Sequence, residues 1–127
     1  MPFVRIDYIK NQYSEEELTK ISRVLQSSLV DDFDVPEKDC FQVFQNHESF
    51  EFHYDPDYLC GTRTDRLLYI YITCGDGRSQ AKKLKFYETL SLSLSRQCQV
   101  ETENIFIILN ESERENWSFG NGLAQAL

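Results

Sequence analysis

The chain is poor in the residues that punctuate or staple a fold. Its 127 residues include five glycines, three prolines, one methionine and one tryptophan. Glycine and proline this scarce exclude a collagen-like or low-complexity chain. The four cysteines, Cys40, Cys60, Cys74 and Cys98, are never closer than fourteen positions. That spacing excludes the CxxC pairs of zinc and thiol-redox sites and the dense pattern of small secreted scaffolds. Four reduced and mostly buried thiols are expected. Basic residues are also few, 13 Lys and Arg against 21 Asp and Glu, for a net charge of −8. Nucleic acid and anionic membrane both require a basic surface, so neither is an expected partner. A small anion held by one or two local arginines remains compatible. The N-terminus lacks an apolar signal core. No apolar run approaches the ~20 residues needed to span a bilayer. A cytoplasmic location is therefore expected.

What is present is ordinary globular material, 41% hydrophobic and 27% charged. One domain over residues 1–127 is expected for this length. A chain this small leaves apolar surface uncovered, and self-association is the common remedy. Phe3 to Ile9 is β-rich and partly alternating, which predicts a strand. Ser14-Glu15-Glu16-Glu17 is a capping box, and a helix to about Asp32 follows with Leu18, Ile21, Leu25 and Leu29 on one face. Val35-Pro36 ends it, and Cys40 to Gln45 predicts a second strand. The pattern then recurs. Leu67 to Thr73 is a strand, Ser79 opens a helix to about Gln97 with Leu84, Tyr87, Leu90 and Leu94 as its apolar residues, and Asn104 to Leu109 is a fourth strand.

The halves align without a gap at a constant offset of 65 positions, which takes Ser14 to Ser79, Leu25 to Leu90, Val35 to Val100 and Phe41 to Phe106. Two tandem βαβ units, at about 2–46 and 66–110, account for this. Each crossover is long enough for a helix, so the strands within a unit are parallel and right-handed. The fold class is α/β, with helices on one face of the sheet. The other apolar face needs a cover, and a second copy of the subunit is the natural one. A polar, aromatic segment, 46–66, joins the units. His47 and His53 in it lack further ligands at metal spacing and read as surface or interface residues, with no metal or other cofactor expected. Arg63 and Arg66 read as partners in structural ion pairs. In the tail, 111–127, glycines flank Trp117-Ser118-Phe119 and predict a turn or short hairpin presenting aromatics.

Two features carry chemistry. The chain opens Met1-Pro2, and loss of the methionine would expose a secondary amine on Pro2. An α-amino group titrates near pH 7.7–8.0, about where a general base or nucleophile is useful. The plain alternative is a strand-opening proline. Arg78 directly precedes the second helix, where a guanidinium and helix N–H groups can receive the same carboxylate; a solvent-exposed arginine is the alternative.

The Met1-Pro2 start, the run Val35-Pro36-Glu37-Lys38-Asp39-Cys40-Phe41-Gln42-Val43, Arg78-Ser79 with Phe86-Tyr87, and Trp117-Ser118-Phe119-Gly120-Asn121-Gly122 together resemble the tautomerase superfamily. The resemblance is narrowest to its malonate semialdehyde decarboxylase-like branch and spans nearly the whole chain. It implies a homotrimer with an N-terminal catalytic proline in a pocket near a subunit interface. It further implies that Asp39 activates water or tunes the proline, that Arg78 binds the substrate carboxylate, and that Trp117 and Phe119 form an apolar wall. Local readings stand beside these: Asp39 as a turn residue, Trp117 and Phe119 as tail anchors. The sequence departs from the branch at Asp76, where a first arginine is expected. Asp76 is either a second carboxylate in the site or a turn residue between glycines. The lost cation argues against decarboxylase activity and predicts a proline more basic than in two-arginine relatives.

Three functions are consistent with this pattern. The first is a cofactor-free keto–enol tautomerase acting on a small keto or enol acid, such as an aryl-enolpyruvate, with Pro2 as base and Arg78 on the carboxylate. The second is a decarboxylase or hydratase of a 3-oxo acid such as malonate semialdehyde. The third is a non-catalytic trimeric binding protein.

Overall fold

A computed structural model describes residues 1–127. Strand β1 (Pro2–Ile9) is followed by helix α1 (Glu15–Phe33) and strand β2 (Gln42–His47). Strand β3 (Leu68–Gly75), helix α2 (Gln80–Cys98) and strand β4 (Ile105–Ser112) repeat the order. The sheet runs β2-β1-β3-β4. Pairing is parallel within each βαβ unit and antiparallel between β1 and β3, where the units meet. No helix is long and apolar enough to cross a membrane.

The caps explain where each helix begins and ends. Ser14 Oγ accepts from Glu17 N at 3.1 Å, and the Glu17 carboxylate accepts from Ser14 N at 2.9 Å. Three glutamates in the first turn complement the helix dipole. Ser79 does the same for α2, accepting from Lys82 N at 3.2 Å. Both helices stop on a left-handed residue, Asp34 at φ 56° and Gln99 at φ 54°. These two C-caps are also 65 positions apart, so the repeat extends to the helix ends. Replacing Ser79 by alanine removes one helix cap and is expected to cost about 1 kcal/mol, read as a lower urea midpoint with unchanged m-value.

Both helices pack on one face of the sheet, closing a core on Val4, Ile6, Ile70 and Ile72 with Ile21, Leu25, Leu29, Phe86, Leu90 and Leu94. Phe33 and Phe86 stack with centroids 4.3 Å apart and join the two helices. The apolar stripe of α2 differs from the sequence reading. Phe86, Leu90, Leu94 and Cys98 are buried at a four-residue spacing, whereas Leu84 is 56% exposed. Leu84 lies six residues before Leu90, which turns it roughly 120° away from that residue and off the buried stripe. Strand β2 also begins two residues later than predicted, because Asp39 and Cys40 are spent in a tight turn in which Asp39 N donates to Pro36 O at 2.9 Å and Cys40 N to Lys38 O at 2.9 Å. Cys40 and Cys60 lie in loops and are exposed, so two of the four thiols, Cys74 and Cys98, are buried where most were expected to be.

The other sheet face is largely bare. Phe3, Val43, Tyr71, Phe106 and Ile108 are all exposed on it. One end is covered by the joining segment, where Phe52 stacks on Tyr69 at 4.7 Å and packs with Ile9 and Leu67. A polar group sits between the exposed apolar side chains. Arg5 pairs with Asp7 at 3.1 Å and donates to Gln45 at 2.7 Å, while His47 Nε2 lies 2.6 Å from Asp7. Burial alone would raise the Asp7 carboxyl, but Arg5 and His47 outweigh it and hold the group below its usual range. Arg66 bonds Glu17 at 3.3 Å and lies 4.1 Å over the Tyr13 ring, the structural pairing expected of it.

Candidate active site

The first residue of β1 fixes one corner of the site. Pro2 is buried and pairs with Cys74 across the antiparallel junction. Ahead of it, the Met1 amine donates to Asp39 Oδ2 at 2.6 Å, and the side chains of both residues are less than one-fifth exposed. Asp39 is presented by its tight turn, and Gln26 from α1 steadies it by donating to the Asp39 carbonyl at 3.1 Å. The second carboxylate oxygen of Asp39 is buried and has no partner. A carboxylate so placed fixes where the amine N–H points. Removal of Met1 would pass the free amine to the next nitrogen, that of Pro2.

The second corner is the loop between β3 and α2. Gly77 turns it at φ 99°. Arg78 then reaches back under the loop. One terminal nitrogen donates to Gly75 O at 2.9 Å and the other to Phe33 O at 3.0 Å. Its guanidinium carbon lies 4.6 Å from the centroid of the Phe33 ring, a cation–π contact. Since Phe33 is itself stacked on Phe86, the core sets the position of this charge. A guanidinium has five N–H donors, so donors remain for an anion. Arg78 lines an open cavity of about 290 Å³ together with Met1, Asp76, Lys82 and Arg114. Asp34, also on the cavity, is held below the usual carboxylate range by its ion pair with Lys82. Gly75 leaves room for the first residue, since a β-carbon there would lie 2.9 Å from Met1 Cε. Beneath lies the buried Cys74 thiol. Burial pushes its pKa up, partly offset by the Arg78 guanidinium.

The predicted residues thus fall into three groups. Pro2, through Met1, meets Asp39. Asp76 and Arg78 share the cavity, and Met1 connects the two groups, with its amine on Asp39 and its side chain on the cavity. Trp117 and Phe119 form the third group. They stack at 5.7 Å, and Phe119 meets Phe41 at 5.9 Å, two residues past Asp39. They do not line the Arg78 cavity of their own chain. The turn after them is real: Asn121 and Gly122 both have positive φ, and Gly120 pairs with Leu123. The sequence reading missed Lys82 and Arg114. Lys82 had a signal, being one helical turn on from Arg78. Arg114 comes from a short 3₁₀ turn (Arg114–Asn116) in which the tail folds back after β4, and no spacing announces it.

A family profile described as "Tautomerase enzyme" matches residues 39–120. A probable tautomerase, YusQ of Bacillus subtilis (strain 168), is 40% identical over 127 residues, covering 100% of this chain and 99% of the relative. The chain belongs to the tautomerase family. It is an enzyme of the tautomerase type. Among solved structures, a malonate semialdehyde decarboxylase superposes with a TM-score of 0.91 at 23% identity, covering 98% of this chain and 95% of that one. A symmetric trimer of fused 4-OT has the same fold, with a TM-score of 0.78 at 13% identity over 98% of this chain and 97% of that one. The tautomerase fold thus accounts for both tandem units and for the tail.

Proposed function

We propose that this tautomerase interconverts the keto and enol forms of a small carboxylic acid, with the amine of Pro2 as its base and Arg78 as its carboxylate anchor. The observation that carries the reading is the terminal amine held by Asp39 on a first residue that lines the same cavity as Arg78. Without Met1, the neutral amine takes the enol hydroxyl proton, and the resulting ammonium returns a proton to the neighbouring carbon. Charge that builds on the enolate is drawn toward the guanidinium, which is already oriented by two backbone carbonyls and so needs no reorganisation during the reaction. Asp39 orients the amine. A homotrimer, as in the fused 4-OT structure, would cover the exposed sheet face.

A second reading has a specific observation in its favour. The terminal amine already donates to the Asp39 carboxylate at 2.6 Å, a contact that would also hold a cationic proline acting as the acid in the decarboxylation of a 3-oxo acid. Substrate and pH separate the two. With phenylenolpyruvate as substrate, kcat/KM is expected to rise with pH through the titration of the amine and then level off, because only the neutral amine is a base. Decarboxylation of malonate semialdehyde with a rate that falls over the same range, and no enol tautomerisation, would favour the second reading instead.

A further inference from the structure

We infer that Arg114 is a second carboxylate-binding residue, supplying from the tail the positive charge that Asp76 withholds from the β3–α2 loop. The inference rests on the anion-binding reading of Arg78 and goes beyond it by adding a residue from a separate element. Three cations line the cavity: Arg78, Lys82 and Arg114. Their commitments differ. Lys82 is engaged by Asp34 in an ion pair. Arg78 gives two of its N–H groups to the carbonyls of Gly75 and Phe33. The Arg114 guanidinium has no hydrogen bond or ion pair within the chain, and the residue is exposed where it lines the cavity.

Charge balance points the same way. Asp34 and Lys82 cancel, and Asp76 offsets one arginine, so the empty cavity keeps one positive charge. The whole chain carries −8, so an incoming carboxylate is repelled everywhere except where cations cluster. A monocarboxylate seated between Arg78 and Arg114 neutralises the excess. The two arginines differ in mechanical character. Arg78 is fixed by the core through Phe33, whereas Arg114 sits on a short exposed turn whose backbone is tied locally, Asn116 N to Glu113 O at 3.0 Å. Arg78 therefore sets where the carboxylate lies, and Arg114 sets how tightly it is held.

The test compares Arg114→Ala and Arg114→Lys with the unmodified enzyme, using phenylenolpyruvate, its methyl ester, and malonate as an unreactive anion. Arg114→Ala is expected to raise KM for the acid and the inhibition constant of malonate by about tenfold, with kcat within about twofold. Arg114→Lys should recover part of the loss, and turnover of the neutral ester should be unaffected. Unchanged KM and malonate inhibition in Arg114→Ala, or equal losses on acid and ester, overturns the inference. Malonate affinity measured by calorimetry keeps this result separate from the catalytic reading: Pro2→Ala can leave activity intact and sink the base mechanism while the Arg114 effect on malonate binding is still read directly.

Discussion

Enzyme that keeps Met1, or any residue ahead of Pro2, is expected to lose about 10²–10⁴-fold in kcat/KM on an enol acid, the usual worth of a positioned general base. The reason is electronic. While Met1 is attached, the Pro2 nitrogen is part of a peptide bond, and its lone pair is shared with the carbonyl. Such a nitrogen neither takes nor returns a proton at neutral pH. Met1 also lines the cavity and packs against Gly75, so a retained methionine blocks the substrate as well. Its own amine, though paired with Asp39, is displaced by one residue from the end of β1. The measurement is enol decay by ultraviolet absorbance, made on two preparations whose N-termini have been assigned by intact mass. Pro2→Ala in the processed form is expected to fall in the same range, with cooperative thermal unfolding retained. Equal activity with and without Met1 would remove the amine from the mechanism.

Arg78→Ala is expected to be the next most damaging change, at about 100-fold in kcat/KM, as befits the loss of roughly 3 kcal/mol of charge-assisted hydrogen bonding to a carboxylate. The substitution does two things. It removes the anion's partner, and it leaves the carbonyls of Gly75 and Phe33 without their donor. The second effect loosens the loop carrying Asp76 and Gly77 and should appear as a lower unfolding temperature. Arg78→Lys separates the two effects. A lysine restores the charge, but its single nitrogen carries three donors against the five of the guanidinium fork, so holding both carbonyls would leave at most one for a ligand. It is expected to recover little activity. Full recovery by lysine would mean that charge alone matters at this position and that the fork geometry does not.

Much of this architecture can be read from residues alone, and the reasons differ by element. Ser14 and Ser79 announce their helices because a hydroxyl at an N-cap serves an orphan backbone donor whatever the tertiary fold. The 65-residue offset is visible because both halves bury the same stripes on the same sheet face. Strand β2 and the stripe of α2 were shifted because local pattern cannot distinguish Phe41, whose carbonyl receives Val4 N at 3.0 Å, from a residue inside the strand, or weigh Leu84 against the bulkier Phe86. The sheet order with β1 and β3 central and antiparallel, and the contact between the terminal amine and Asp39, span long sequence separations and leave no periodic trace. Arg114 belongs with these. Its position depends on how the tail turns after β4, which hydrophobic periodicity does not encode.

The internal repeat has a consequence for stoichiometry. The second-half counterpart of Pro2 is Leu67, and that of Asp39 is Asn104. At Leu67 the chain runs straight through, its N–H spent on Thr64 O at 3.1 Å. Asn104, fully buried, accepts from Thr64 N at 2.9 Å and donates to Thr64 Oγ1 at 2.9 Å. The corner that is reactive in one half is thus sewn shut in the other by the very peptide that joins them. An amine-directed inactivator should therefore saturate at one equivalent per chain, not two, however alike the halves look.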